Sequence, residues 1–232
     1  MIPVPRSSAR REAKGGRSRG GRSVRRPQRV LVVTNGEVTE TEYCNLLNKE
    51  EAQKERGERS FHITCKFKPF DPKRLAEHAL GIVADDKKAS AKSGGGKSEP
   101  FSLVYVIVDV DNMKAENLRA AQSICRSNGM NLVISNPCME VWLIDHEKAC
   151  PPGITTAREA ESLARSLGLT TGRGNKHIVE EKVCGRTQVA MRNASAHNRK
   201  DVATRRASLQ SNDFAPWTDF PNLVEGVTAT RA

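Results

Sequence analysis

The run Phe101-Ser102-Leu103-Val104-Tyr105-Val106-Ile107-Val108-Asp109-Val110-Asp111 constrains the fold of this 232-residue chain more than any other stretch. Consecutive β-branched and apolar residues leave no face for water. The run therefore reads as a strand covered on both sides, as in a parallel sheet. Side chains alternate along a strand, so Asp109 and Asp111 would share one face if strand geometry persists to the end. Neighbouring carboxylates repel unless a cation lies between them. A hard cation such as Mg²⁺, which takes oxygen ligands, suits that pair. Sites in open α/β sheets form just beyond the carboxyl ends of the strands. The same two residues also suit a turn and a helix N-cap, which is the plainer reading.

The flanking segments repeat the strand–helix alternation. Val30–Val33 predicts a short buried strand, followed by the polar turn Thr34-Asn35-Gly36-Glu37-Val38-Thr39-Glu40. A helix through Tyr43, Leu46 and Leu47 comes next, with Thr39 as its expected cap. Phe61–Phe67 predicts a second strand, and Asp71-Pro72 opens a helix to about Asp86. Lys87–Pro100 reads as a flexible linker. Its Gly94-Gly95-Gly96-Lys97-Ser98 resembles a P-loop, but Ala91 stands where the first Gly belongs and no apolar strand precedes it. A helix over about Lys114–Asn128 stops at Gly129. Asn131–Ser135 predicts a fourth strand, and the turn Asn136-Pro137-Cys138 leads into a helix from Met139 to His146. Glu140, in its first turn, serves either the helix dipole or the Asp pair as a further carboxylate. The pattern thus predicts an α/β core over residues 29–147, a parallel sheet flanked by helices. A mainly helical extension over 150–226 follows, with helices at Thr155–Leu167 and Lys176–Asn193. Lys176 follows the Gly172-Arg173-Gly174 turn and could reach a phosphate or simply be solvated. From Asn212 onward no period is visible.

The net charge of +11 is concentrated at one end. Residues 1–29 hold ten Lys/Arg and one acid, a net +9 of the chain's +11. Residues 1–28 offer almost nothing to bury and are expected to be a disordered basic tail. Arg17, Arg19, Arg22, Arg25 and Arg26 suit a phosphate backbone through counterion release; a solvated tail without a partner has the same composition. No apolar run long enough for a membrane span occurs. The arginine-rich start has no apolar core of a secretory signal, so a cytoplasmic chain with six reduced cysteines is expected. None of them forms a Cys-x-x-Cys pair, which argues against zinc.

Three segments together resemble the RloB family. They are Thr34-Asn35-Gly36-Glu37-Val38-Thr39-Glu40-x-x-Tyr43, then Val108-Asp109-Val110-Asp111, then Ser135-Asn136-Pro137-Cys138-Met139-Glu140-Val141-Trp142-Leu143-x-x-His146. The closing Pro216-Trp217-Thr218-Asp219-x-x-x-Leu223-Val224 is similar to that family's C-terminal end, so the likeness spans roughly 29–226. It implies a Toprim-like fold. Active Toprim-type proteins hold Mg²⁺ between a carboxylate after the first strand and a later Asp-x-Asp, and act on phosphodiesters. RloB proteins resemble components of bacterial restriction-linked and phage-defence systems and are thought of as nuclease-like effectors. One position departs: where the family has Glu before the Gly, this chain has Asn35. An amide ligates weakly and carries no proton near neutral pH, so the resemblance puts Glu40, ahead of Glu37, in that role.

Two functions are therefore expected. The first is a Mg²⁺- or Mn²⁺-dependent nuclease acting on RNA or DNA, RNA being preferred, in antiphage defence. Asp109, Asp111, Glu140 and Glu40 would hold metal, and Glu40, Glu37 and Lys176 would serve the chemistry. The second is a non-catalytic module with a degenerate site that binds nucleic acid or a partner ATPase. The chain has no Walker A motif of its own.

Overall fold

A computed structural model describes residues 26–55, 58–92, 99–111, 113–208 and 214–229. Its elements run β1 (Gln28–Thr34), α1 (Thr39–Gln53), β2 (Phe61–Phe67), α2 (Pro72–Lys92), β3 (Leu103–Asp109), α3 (Ala115–Ser127), β4 (Asn131–Asn136) and α4 (Glu140–Asp145). Beyond them come α5 (Ala157–Ser166), β5 (Thr170–Thr171), β6 (His177–Ile178), α6 (Glu180–Val183), α7 (Thr187–His197), α8 (Val202–Ser208), β7 (Trp217–Thr218) and α9 (Phe220–Thr228).

Five strands make one sheet in the order β2-β1-β3-β4-β7. The first four are parallel, and β7 closes one edge antiparallel to β4. The fold is mixed α/β and consistent with the Toprim-like class. Alternate residues of each strand feed two separate cores. Val30, Val32, Tyr105, Ile107 and Val133 pack against residues of α1, α4, α7 and α9. Leu31, Val33, Val104, Val106, Val108, Leu132 and Ile134 pack against α2 and α3. That is why the central strands carry apolar residues at every position.

Several local expectations need correction. The strand at Asp109-Val110-Asp111 ends at Asp109, and Asp111 is a turn residue. Strand alternation therefore does not place Asp111. Instead its N–H donates to Pro137 O at 3.1 Å, while the Val110 N–H donates to Ser135 O at 2.9 Å. Thr39 does not cap α1: Val38 is the N-cap, without a side-chain cap bond. The α2 helix passes Asp86 and continues to Lys92, because the Lys and Ala residues that dominate Lys87–Lys92 propagate a helix well. The glycine-rich remainder of the expected linker, residues 93–98, lies outside the described residues. The expected Lys176–Asn193 helix is instead β6, α6 and α7, interrupted at Gly185 with φ 73°. The Asp71-Pro72 start holds: Pro72 opens α2 and the Arg74 N–H donates to Asp71 Oδ1 at 3.2 Å.

Candidate functional site

The carboxyl ends of β1, β3 and β4 release three turns at the same edge of the sheet. They wall a cleft of about 350 Å³ lined by Asn35, Gly36, Glu37, Glu40, Asp109, Asp111, Met113, Met139, Glu140, Glu161 and Lys176 among others. The cleft thus gathers Asn35, Glu37, Glu40, Asp109, Asp111, Glu140 and Lys176. Asn136 does not line it; it is fully buried at the end of β4, before a cis Asn136-Pro137 bond. Arg17, Arg19, Arg22 and Arg25 lie outside the described residues, and Arg26 is exposed before β1.

Each acid is held by local structure. Glu40 sits in the first turn of α1 and is buried, whereas Glu37 is exposed. The Glu40 carboxyl folds back over Gly36. A Cβ on Gly36 would collide with all three of its carboxyl atoms, so any side chain there would displace the Glu40 carboxyl. The Gly36 N–H is tied to Thr34 Oγ1 at 3.0 Å. Asp109 ends β3, with the Met139 backbone N–H the least of the groups that favour its charged form. Its Oδ1 is buried without a hydrogen-bond partner. Glu140 opens α4 and is buried.

Burial of these groups has an electrostatic consequence. Desolvation, then the charge of Glu140, raises the Glu40 carboxyl to about 7 against the opposing pull of Lys176 and its own backbone N–H. Desolvation, followed by Glu40 and Glu140, pushes Asp109 well above the ordinary range. Lys176 is the compensating charge. Its Nζ lies 3.2 Å from Glu140 Oε1 and 2.6 Å from Glu161 Oε1. Burial lowers its pKa, but Glu140 and Glu161 outweigh that and hold it above the usual lysine value.

Lys176 reaches this place on the β5–β6 hairpin, and α1 clamps that hairpin. Thr39 Oγ1 donates to Lys176 O at 2.9 Å, and Glu42 Oε2 accepts from the Ile178 N–H at 2.7 Å. Sequence reasoning missed Glu161, Thr39 and Glu42 in these roles. Glu161 carries no motif; its only signal is its place on the strongly amphipathic α5.

The donor set suits a hard cation in one respect and not in another. Carboxylate oxygens, one of them buried and unpartnered, fit Mg²⁺ or Mn²⁺. Yet among the described residues no group of three or more His, Cys, Asp or Glu side chains is arranged to hold a metal ion. Mg²⁺ does not need one: it is usually bound by one or two carboxylates together with waters and substrate phosphates. The cleft therefore offers carboxylates to a hard cation without supplying a full protein shell.

No helix among the described residues is long and apolar enough to cross a membrane. No curated protein and no solved structure matches the chain. The family model described as RloB-like protein matches residues 30–227, from the first buried residue of β1 to the last turn of α9. With most of its length matched, this chain belongs to the RloB-like protein family.

Proposed function

We propose that this protein is a Mg²⁺- or Mn²⁺-dependent phosphodiesterase that cleaves RNA or DNA, with RNA preferred, in bacterial antiphage defence. The observation that carries the reading is the convergence of buried Glu40 and Glu140 with half-buried Asp109 around Lys176 at the carboxyl edge of a parallel sheet. Buried like charges are costly, and clustering them without a structural return marks a functional site. Asp109 and Glu140, with Asp111, would hold the metal. Bound there, the ion supplies a Lewis acid for a phosphoryl oxygen and an acidified water. Glu40, poised at about 7, holds or releases a proton near neutral pH or completes the metal's oxygen shell. Exposed Glu37 is the second-ranked proton carrier. Lys176, released from Glu140, neutralises charge on the phosphate. The Arg17, Arg19, Arg22, Arg25 and Arg26 tail grips the polynucleotide backbone, and any ATP use belongs to a partner ATPase.

Asn35 favours a second reading, a binding module without catalysis, because an amide at the family's Glu position carries no proton. A cleavage assay over DNA, total RNA and tRNA with Mg²⁺ and Mn²⁺ separates the two. Under the enzyme reading the protein cleaves at least one substrate and Asp109→Ala abolishes it. Retained binding with no cleavage under any metal supports the module. Deleting residues 1–25, which spares β1, is expected to weaken binding. It should also flatten the slope of log K against log salt by up to about 3 for the four named arginines it removes, Arg17, Arg19, Arg22 and Arg25, on a single strand. An unchanged slope removes the tail from the interface.

A further inference from the structure

Two thiols stand together outside the cleft. Helix α1 lies along the edge strand β2, and three of its residues, Thr41, Cys44 and Asn48, form one stripe at i, i+3, i+7 spacing. Asn48 brackets β2 at Ile63: its Nδ2 donates to Ile63 O and its Oδ1 accepts from the Ile63 N–H, both at 2.8 Å. At the other end of the stripe, Thr41 Oγ1 lies 4.0 Å from Cys65 Sγ. Cys44, one turn after Thr41, is thereby set against Cys65, and the two belong to the same packed cluster. Each thiol is close enough to shift the other's acidity, in opposite directions. Cys44 is buried, while Cys65 is half-buried on the edge strand.

We propose that Cys65 and Cys44 form an oxidisable dithiol, with Cys65 as the attacking sulfur, Cys44 as the resolving one and a small peroxide as the oxidant. The two thiols are polarised in opposite directions. The neighbouring Cys44 and Thr41 side chains hold Cys65 below the usual thiol value, whereas Cys65 and burial push Cys44 above it. Cys65, the more exposed of the two, is thus the sulfur that ionises more readily and that a small oxidant reaches first. In the first step the Cys65 thiolate attacks one oxygen of hydrogen peroxide. The S–O bond forms, the O–O bond breaks and hydroxide leaves, giving a sulfenic acid. In the second step the Cys44 sulfur attacks the Cys65 sulfur. The S–S bond forms, the S–O bond breaks, and the departing hydroxide takes the Cys44 proton as water. Two thiols and one peroxide become one disulfide and two waters. The sulfur pair loses two electrons and the peroxide gains them. The product ties α1, which carries Glu40 one turn earlier, to β2.

The test is peptide mapping of the full-length protein after brief exposure to hydrogen peroxide and quenching with a maleimide. A dithiothreitol-sensitive peptide joining Cys44 to Cys65 is expected. Cys65→Ser is expected to lose the bridge. In Cys44→Ala, Cys65 is expected to stop at a sulfenic acid that dimedone traps. Circular dichroism of both variants shows that the fold is kept. The proposal is overturned if both thiols remain maleimide-labelled after peroxide, or if Cys65 pairs instead with Cys184, the other partly exposed thiol.

Discussion

In EDTA at pH 7, Asp109→Asn is expected to melt above the unsubstituted protein, and in excess Mg²⁺ the order is expected to reverse. The cause is the buried, unpartnered Oδ1 of Asp109 at the end of β3, with Glu40 and Glu140 as charged neighbours. Ionised, this carboxylate is desolvated and repelled; protonated, it has taken up a proton the unfolded chain does not hold at pH 7. Either way the folded state is penalised relative to one carrying a neutral amide. Replacing a buried polar group that is badly matched recovers about 1–2 kcal/mol, or roughly 2–8 °C for a chain of this size. Bound Mg²⁺ stabilises only the protein that binds it, so its melting shift is expected in the unsubstituted chain and lost in Asp109→Asn. If Asp109→Asn melts lower in EDTA and still responds to Mg²⁺, Asp109 is a structural residue and the metal reading fails.

The same burial sets a pH dependence with a definite sign. The Glu40 carboxyl is raised from 4.5 to about 7 by desolvation and then by Glu140, so the folded protein holds a proton that the unfolded chain has lost. Stability from this group is fully present below about pH 4.5 and is lost as pH rises through about 7. Asp109, raised mainly by desolvation, adds in the same direction. His146 works against it. Its burial lowers it to about 4, so its contribution is present above pH 6.5 and lost as pH falls through about 4. The Glu40 effect is therefore cleanest in the difference between unsubstituted and Glu40→Gln protein, both in EDTA. The gap in melting temperature is expected to widen in favour of Glu40→Gln between pH 5 and pH 7.5. A constant gap means that Glu40 titrates as an ordinary exposed acid.

How far the sequence reveals this fold depends on length and chemistry. Leu103–Asp109 is legible because a strand covered on both faces must be apolar at every position. The convergence of Glu40, Asp109 and Glu140 follows from that, since parallel strands deliver their carboxyl-end turns to one edge. By contrast, β7 is two residues long, too short for any period, and it joins the sheet through β4 rather than through its own pattern. The β5–β6 hairpin is equally short, so Lys176 reads as a helix start although it is carried on a turn with left-handed Gly172, Gly174 and Asn175. Glu161 looks like a solvated acid on an amphipathic helix. Only the fold brings it to 2.6 Å from Lys176.

The second large effect is expected far from the cleft, at Asp219. This side chain is fully buried and accepts from two guanidiniums: Arg205 at 3.2 Å and Arg206 at 2.6 Å. Its Oδ2 also faces the Ile134 N–H at 3.3 Å, and its own N–H donates to Ile134 O at 2.8 Å. Arg206 further reaches Leu132 O, and Arg205 lies over the Trp217 ring at 5.0 Å. One carboxylate thus fastens α8, β7 and β4 together, holding the antiparallel edge strand on the sheet. Asp219→Ala leaves two mostly buried cations without their counter-ion. Removing one partner of a buried pair costs about 3–5 kcal/mol, which lowers the melting temperature by roughly 6–20 °C in a chain of this size. Asp219→Asn keeps an acceptor oxygen for the Ile134 N–H and is expected to lose less. The damage is expected to spread to the cleft, because Ser135, next to Ile134, accepts from the Val110 N–H and pairs in register with Asp109. Differential scanning calorimetry measures the first effect, and Mg²⁺ titration well below the melting point measures the second. Asp219→Ala melting within about 2 °C of the unsubstituted protein, outside the range a broken buried pair gives, would show that the two arginines find other partners and that β7 holds the sheet by packing alone.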